Sequence, residues 1–213
     1  GLTGTPNFEG KAWHLHNNTA LNEIETPLSK QQTLENLEFA RQKLLIARKQ
    51  RLSPGKDEKI ITSWNGLMIK AMARAARHFD RPDLAESATC AVDFIRFKLW
   101  DGDRLSATYK DQRCRFSAYL DDYAFLAAGL LELLQYRWRS TDMVLAYELM
   151  NVLLKNFEDT NGGFFFTPDD HETLIHRPKP LADEAIPSGN GIALQTLILL
   201  GHLLGDSAFI SAA

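Results

Sequence analysis

Cysteine is scarce in this chain of 213 residues. There are two, Cys90 and Cys114, and they form no CxxC pair, so neither a thiol redox motif nor a cysteine zinc site is encoded. Excess charge of either sign is missing as well. A net charge of -3 gives no electrostatic footprint for nucleic acid or an anionic membrane surface. Long hydrophobic runs are absent too: the best candidate, Ile192 to Leu204, is short and broken by Gln195, Thr196, Gly201 and His202, so a bilayer span is not expected. No charged-then-apolar leader opens the chain, which predicts a cytoplasmic protein. Cys90 sits among apolar helix positions and is expected to be a small buried residue. The chain opens on Gly1 and stops at Phe209-Ile210-Ser211-Ala212-Ala213, inside the beginning of a helical pattern, so both ends read as cuts.

What is present is helical periodicity. Ser29 is placed to cap a helix reaching about Arg51, with Leu34, Leu37, Ala40, Leu44 and Ala47 on one stripe. A second helix carries Ile61, Trp64, Leu67, Met68, Ala71, Met72 and Phe79 at three-four spacing, and Pro82 starts a third, amphipathic one. The helix beginning near Tyr119 is apolar nearly all round from Phe125 to Leu134, which predicts burial on several sides. Ser140 is placed to cap the next helix, to about Phe157, and the last full helix spans Ser188 to Leu204. Two small hairpins are expected in the long connections, one from Arg104–Tyr109 with Arg113–Ser117, the other from Phe164–Thr167 with Thr173–Ile175.

Apolar helices starting at Trp64, Tyr119 and Ser188 alternate with amphipathic ones starting at Pro82 and Ser140. Short loops at one end alternate with long ones at the other. That pattern predicts an all-α fold of stacked helical hairpins: part of an (α/α)6 toroid with small β-hairpins in its long loops. Residues 1–213 are expected to form a fragment of one such domain.

Three strings stand at the starts of the apolar helices: Thr62-Ser63-Trp64-Asn65-Gly66, Leu120-Asp121-Asp122-Tyr123-Ala124-Phe125 and Ile186-Pro187-Ser188-Gly189-Asn190. They recur at roughly 60-residue intervals. Free N–H groups and the helix dipole at such ends favour oxygen-rich ligands. Asp121 and Asp122 are the candidate acid–base pair, although neighbours on a helix point about 100° apart, so helix capping is the competing role. Trp64, Tyr119 and Tyr123, with Trp13, are candidates for stacking on a sugar ring, although Trp64 fits the apolar stripe of its own helix and is expected in the core first. Asn65 and Asn190 can both donate and accept to hydroxyls. Ser188 joins them as a candidate contact and is most simply a helix cap. His14 and His16 would share a face on a strand, but no third ligand accompanies them, and no metal or cofactor is expected. His171 and His176 lie in a long loop beside Arg177 and Lys179, as candidate contributors to a sugar site or as solvated groups.

Read from Asp57 to Ile69, the string DEKIITSWNGLMI resembles the central signature of the YyaL-type, spermatogenesis-associated thioredoxin-domain-containing family. Tyr119 to Phe125, Gly162 to Thr167 and Pro187 to Asn190 are similar to later signatures of that family in the same order. The likeness runs from about Phe8 to the chain end. It implies the six-hairpin toroid shared by sugar epimerases and several glycoside hydrolases, and a thioredoxin-like domain outside this sequence. It carries no established reaction with it. Two functions therefore stand open: an enzyme-like domain binding or transforming a carbohydrate, or a non-catalytic scaffold serving the thioredoxin-like domain or a protein partner. Self-association through an open toroid edge is expected as well.

Overall fold

The computed structural model describes residues 5–6, 8–11, 13 and 27–213. His14 and His16 lie outside the described residues. The chain divides into two compact units, Gly1–Lys56 and Asp57–Ala213. The first contains α1 (Lys30–Lys49). As the sequence predicts, Ser29 caps it: Ser29 Oγ accepts the Gln32 N–H at 3.2 Å and Gln32 Oε1 accepts the Ser29 N–H at 3.0 Å. The helix buries none of its residues, so its stripe of leucines is exposed.

The second unit runs β1 (Ile60–Ile61), α2 (Thr62–Phe79), α3 (Pro82–Lys98), β2 (Ser106–Lys110), β3 (Arg113–Ser117), α4 (Leu120–Tyr136), α5 (Ser140–Phe157), α6 (Gly189–Leu204) and α7 (Ser207–Ala212). The three strands make one antiparallel sheet in the order β1-β2-β3, with Tyr109 between Ile60 and Cys114. Asp111 and Gln112 turn the hairpin with φ of 51° and 59°, the left-handed pair that matches strand twist.

The core is built around α4. Its residues from Tyr123 to Leu134 are buried, as all-round apolarity requires. It lies between α2 and α6 and carries α5 on a further side, while α3 backs α2. Contacts between α2 and α4 advance together along both chains: Ser63 meets Asp122, Gly66 meets Phe125 and Leu126, and Arg77 meets Glu132 and Gln135. The two helices are therefore parallel and start at the same face. They approach closely because a glycine stands on each. A Cβ on Gly66 would lie 2.6 Å from the Leu126 nitrogen, and one on Gly129 2.7 Å from the Gly66 carbonyl oxygen. Gly189, at the start of α6, abuts Leu120 and Asp121 at the start of α4, so the third inner helix begins at this face too.

Ion pairs fasten the opposite end. Buried Glu132 takes Arg74 and Arg77, each at 3.0 Å. Asp142, with no exposed side-chain surface, accepts Arg96, Arg137 and Arg139. Burial works against that carboxylate, but the three guanidiniums hold its pKa below the ordinary value.

Four expectations are corrected. Phe164–Thr167 does not pair with Thr173–Ile175. Phe164 bridges Glu158, the Phe165 N–H donates to Phe157 O at 2.8 Å, and the Phe166 N–H donates to Pro178 O at 2.8 Å. The turn at Gly162 and Gly163, with φ of 90° and 72°, sends the triple phenylalanine back to the end of α5 instead of forward. Ser140 is the first residue of α5, after Arg139, and caps nothing with its side chain. Cys90 is exposed. Trp64 is 63% exposed and does not join the core stripe of α2.

Candidate functional site

The three sequence strings meet at the face where α2, α4 and α6 begin. Asp122 joins two of them. Its Oδ1 accepts the Ser63 N–H at 2.8 Å and its Oδ2 accepts the Tyr119 N–H at 2.9 Å. One carboxylate thus satisfies a free donor in the first turn of α2 and another at the start of its own helix. It is buried, and that burial pushes its pKa up to about 6 against the donors that favour the charged form.

Asp121 has a different setting. Among the described residues its carboxyl group makes no hydrogen bond and no ion pair. It is half-buried, and that burial alone pushes its pKa up to about 6. Its Oδ1 lies only 2.1 Å from where a Cβ on Gly189 would stand. A carboxyl group with a pKa near neutrality, partial solvent access and no partner can give or take a proton at little cost.

Aromatic groups flank this pair. Tyr119 is stacked on Phe166, with ring centroids 4.9 Å apart and planes 10° from parallel. His171 lies 6.4 Å from the Tyr119 ring. The Leu120 N–H donates to Phe166 O at 3.0 Å, which fixes the long loop after α5 against the start of α4. The Arg177 guanidinium sits 4.2 Å over the Phe165 ring, and His176 is exposed. On the α2 side, exposed Trp64 stands beside Asn65, whose Nδ2 donates to Ile61 O at 2.8 Å. Trp13 is partly exposed in the other unit.

The remaining candidates are engaged inside the fold. Tyr123 is buried, its hydroxyl accepts the Leu105 N–H at 3.0 Å, and its ring meets Phe157 edge-on. Ser188 caps α6, accepting the Gly191 N–H at 3.4 Å and donating to Pro180 O at 3.3 Å. Asn190 accepts the Phe164 N–H at 2.7 Å and donates to Phe164 O and Pro180 O at 3.0 and 2.9 Å. Its amide stitches the long loop to α6. Phe166 and Gly189 belong to the face and were not singled out in the sequence. The signal for Phe166 was its place within a matched signature, and that for Gly189 was a glycine opening an apolar helix.

A cleft of ≈ 190 Å³ opens further down the inner helices, among Lys70, Arg74, Glu132, Gln135, Gln195 and Thr196. A second, of ≈ 430 Å³, adjoins Asn190 and is lined also by Asn161, Gly163, Lys179 and Leu181. Among the described residues no group of three or more His, Cys, Asp or Glu side chains gathers to hold a metal ion. No helix among them is long and apolar enough to cross a membrane.

With this geometry in place, comparison with known proteins gives the chain's homologues. No family model matches the chain. Spermatogenesis-associated protein 20 of Rattus norvegicus is 30% identical over 176 residues, covering 77% of this chain and 22% of the relative. The family resembled in the sequence is the family of its homologues. The chain spans about a fifth of the length of the curated relatives it matches, 22% of the rat spermatogenesis-associated protein 20. Solved structures place the fold among the (α/α)6 toroids. An inactive variant of the alpha-1,6-mannanase of Salegentibacter sp., with two aspartates replaced by asparagine and in complex with alpha-1,6-mannotriose, matches with a TM-score of 0.56. Its identity is 15%, over 72% of this chain and 45% of that one. The cellobiose 2-epimerase of Spirochaeta thermophila matches with a TM-score of 0.57 at 17% identity, over 72% of this chain and 41% of the epimerase. These toroid neighbours show the fold: it is that of the six-hairpin glycosidases and epimerases, here as stacked hairpins around three parallel inner helices.

Proposed function

We propose that the face where α2, α4 and α6 begin binds and transforms a carbohydrate, with Asp121 as the proton-transfer group. The observation that carries this reading is the division of labour within one pair. Asp122 is consumed by two backbone donors, while Asp121 stands half-buried, without a partner among the described residues and with its pKa pushed up to about 6. Asp121 stands in the first turn of α4, where the helix dipole favours a carboxylate, but among the described residues no donor holds it, and an unpaired carboxylate half removed from water costs stability. A glycosidic oxygen leaving group, or a carbon next to a sugar carbonyl, needs a group of this kind. The mannanase neighbour supports the reading, since its inactive variant replaces two consecutive aspartates. Exposed Trp64 in the first turn of α2 and the Tyr119–Phe166 stack at the start of α4 are the aromatic surfaces this reading assigns to sugar ring faces. A thioredoxin-like domain in the longer protein belongs to the same proposal and rests on the sequence resemblance.

The test is a binding and turnover screen of the full-length protein against alpha-1,6-linked mannooligosaccharides, cellobiose and related sugars. Binding by the native protein, with turnover lost in Asp121→Asn and the fold retained, is the expected result. A protein that binds no sugar in such a screen sinks the reading. The scaffold alternative is favoured by a separate observation: the polar atoms of Tyr123, Ser188 and Asn190 are all occupied by backbone groups. It predicts no ligand, and a partner or a second copy on the exposed Ile198, Leu199, Leu203 and Leu204 of α6.

A further inference from the structure

Gly189 poses a question that backbone geometry does not answer. It opens α6, and it is not among the residues with positive φ. An L-residue fits such a conformation, and alanine in a helix is more favourable than glycine. The reason for glycine must therefore be space. A Cβ there would lie 2.1 Å from Asp121 Oδ1, 3.2 Å from Asp121 Cγ and 3.2 Å from Leu120 Cγ. The first of these separations is far inside van der Waals contact. The group that occupies the volume of the missing side chain is the carboxyl of Asp121, which has no hydrogen-bond or ion-pair partner among the described residues.

We infer that Gly189 is a positioning residue for Asp121: the bare Cα at the start of α6 is the seat that holds the Asp121 carboxyl group half-buried between α4 and α6. With glycine present, the side chain packs back against α6. With a methyl group there, α4 and α6 cannot part easily, because Leu120 and Asn190 on either side are buried in the core and in the loop stitch. The carboxyl group must then swing outward into water. The seat's importance for function rests on the carbohydrate reading, but its existence does not.

Two measurements test it on the 213-residue chain. In the first, carboxyl carbon NMR follows the titration of Asp121, assigned by its loss in Asp121→Asn, with Asp142, held by its three arginines at the opposite end of the helices, as internal reference. The native group is expected to titrate near 6. In Gly189→Ala its midpoint drops by at least one unit toward the ordinary aspartate range, while Asp142 at the opposite end of the helices stays in place. Unchanged titration of Asp121 in a folded Gly189→Ala protein overturns the inference. The second measurement is a double-mutant cycle in thermal unfolding. The change in midpoint caused by Gly189→Ala differs between the native and the Asp121→Ala backgrounds, because only in the native one must the carboxyl group leave its seat; equal changes in both backgrounds overturn the inference. If Gly189→Ala unfolds the native chain, recovery of folding in the double variant supports the seat. Failure of the double variant to fold shows that Asp121 is not what the methyl group meets. Neither readout uses a sugar, so a protein that passes both and binds no carbohydrate would retain the seat and lose the functional proposal.

Discussion

Replacing each aspartate of the pair by alanine separates a structural carboxylate from one kept for another purpose. Asp122→Ala leaves the Ser63 and Tyr119 N–H groups without their acceptors, at 2.8 and 2.9 Å in the native chain. A buried donor left unsatisfied costs about 1–3 kcal/mol. Both donors here are only partly buried, so water recovers some of the loss. Release of the carboxylate from an environment that pushes its pKa up to about 6 offsets a further part. The expected net loss is about 2 kcal/mol, roughly 4–8 °C in unfolding midpoint for a domain of this size. Asp121→Ala removes a group with no partner, and its stability should change by no more than about 0.5 kcal/mol or rise slightly. Urea unfolding at pH 7, followed by circular dichroism, gives both numbers. Equal losses in the two variants would refute the division of labour, as would an Asp122→Ala protein as stable as the native chain.

If Asp121 donates a proton to a sugar leaving group, turnover should fall as pH rises through about 6, and a pH–rate profile should lose that limb in Asp121→Asn. The folding linkage has the same sign. A folded pKa above the ordinary 3.8 makes the folded chain take up a proton first, so the Asp121 contribution to stability rises as pH falls from above 6 toward 4. Denaturant midpoints of native and Asp121→Ala chains should show that difference. Asp142 works in the opposite direction. Its folded pKa is lowered, so its contribution is present above 3.8 and lost as pH falls through the folded value. Asp142→Ala should cost about 3 kcal/mol at pH 7 and leave a shallower acid transition in a fluorescence titration. Gly66→Ala would drive a methyl group into the backbone of Phe125 and Leu126. A loss of about 3 kcal/mol in thermal unfolding is expected, and a neutral outcome would contradict the close α2–α4 approach.

The helices were legible because their apolar spacing is regular and the all-round apolar run from Phe125 to Leu134 has one physical outcome, burial. The triple phenylalanine was misread as the first strand of a hairpin because an apolar run carries no record of which neighbour it pairs with. Its partner is the end of α5, chosen by the turn at Gly162 and Gly163. Cys90 was misplaced because α3 presents a narrower buried stripe, at Ala85, Ala88, Val92 and Ile95, than its small residues suggest. At the site, the adjacency of Asp121 and Asp122 was plain and their roles were not. What separates them is the Ser63 N–H, 59 residues away, and the bare Cα of Gly189, both tertiary facts. Gly66 and Gly129 could have been flagged, since a glycine inside a strong helical pattern usually marks close packing.

The parallel run of α2 beside α4 also bears on how the chain reaches this state. Ser63 must find Asp122, and Gly66 must find Phe125 and Leu126, across a whole intervening helix and hairpin. A helical hairpin such as α2–α3 forms from near neighbours in the chain, but it leaves the α4-facing side of α2 bare. Loop-closure entropy therefore has to be met before the glycine contact returns any stability. The inner ring should assemble late and in one cooperative step, with Gly66→Ala acting mainly on the unfolding rate and changes within α3 leaving the inner contacts for last.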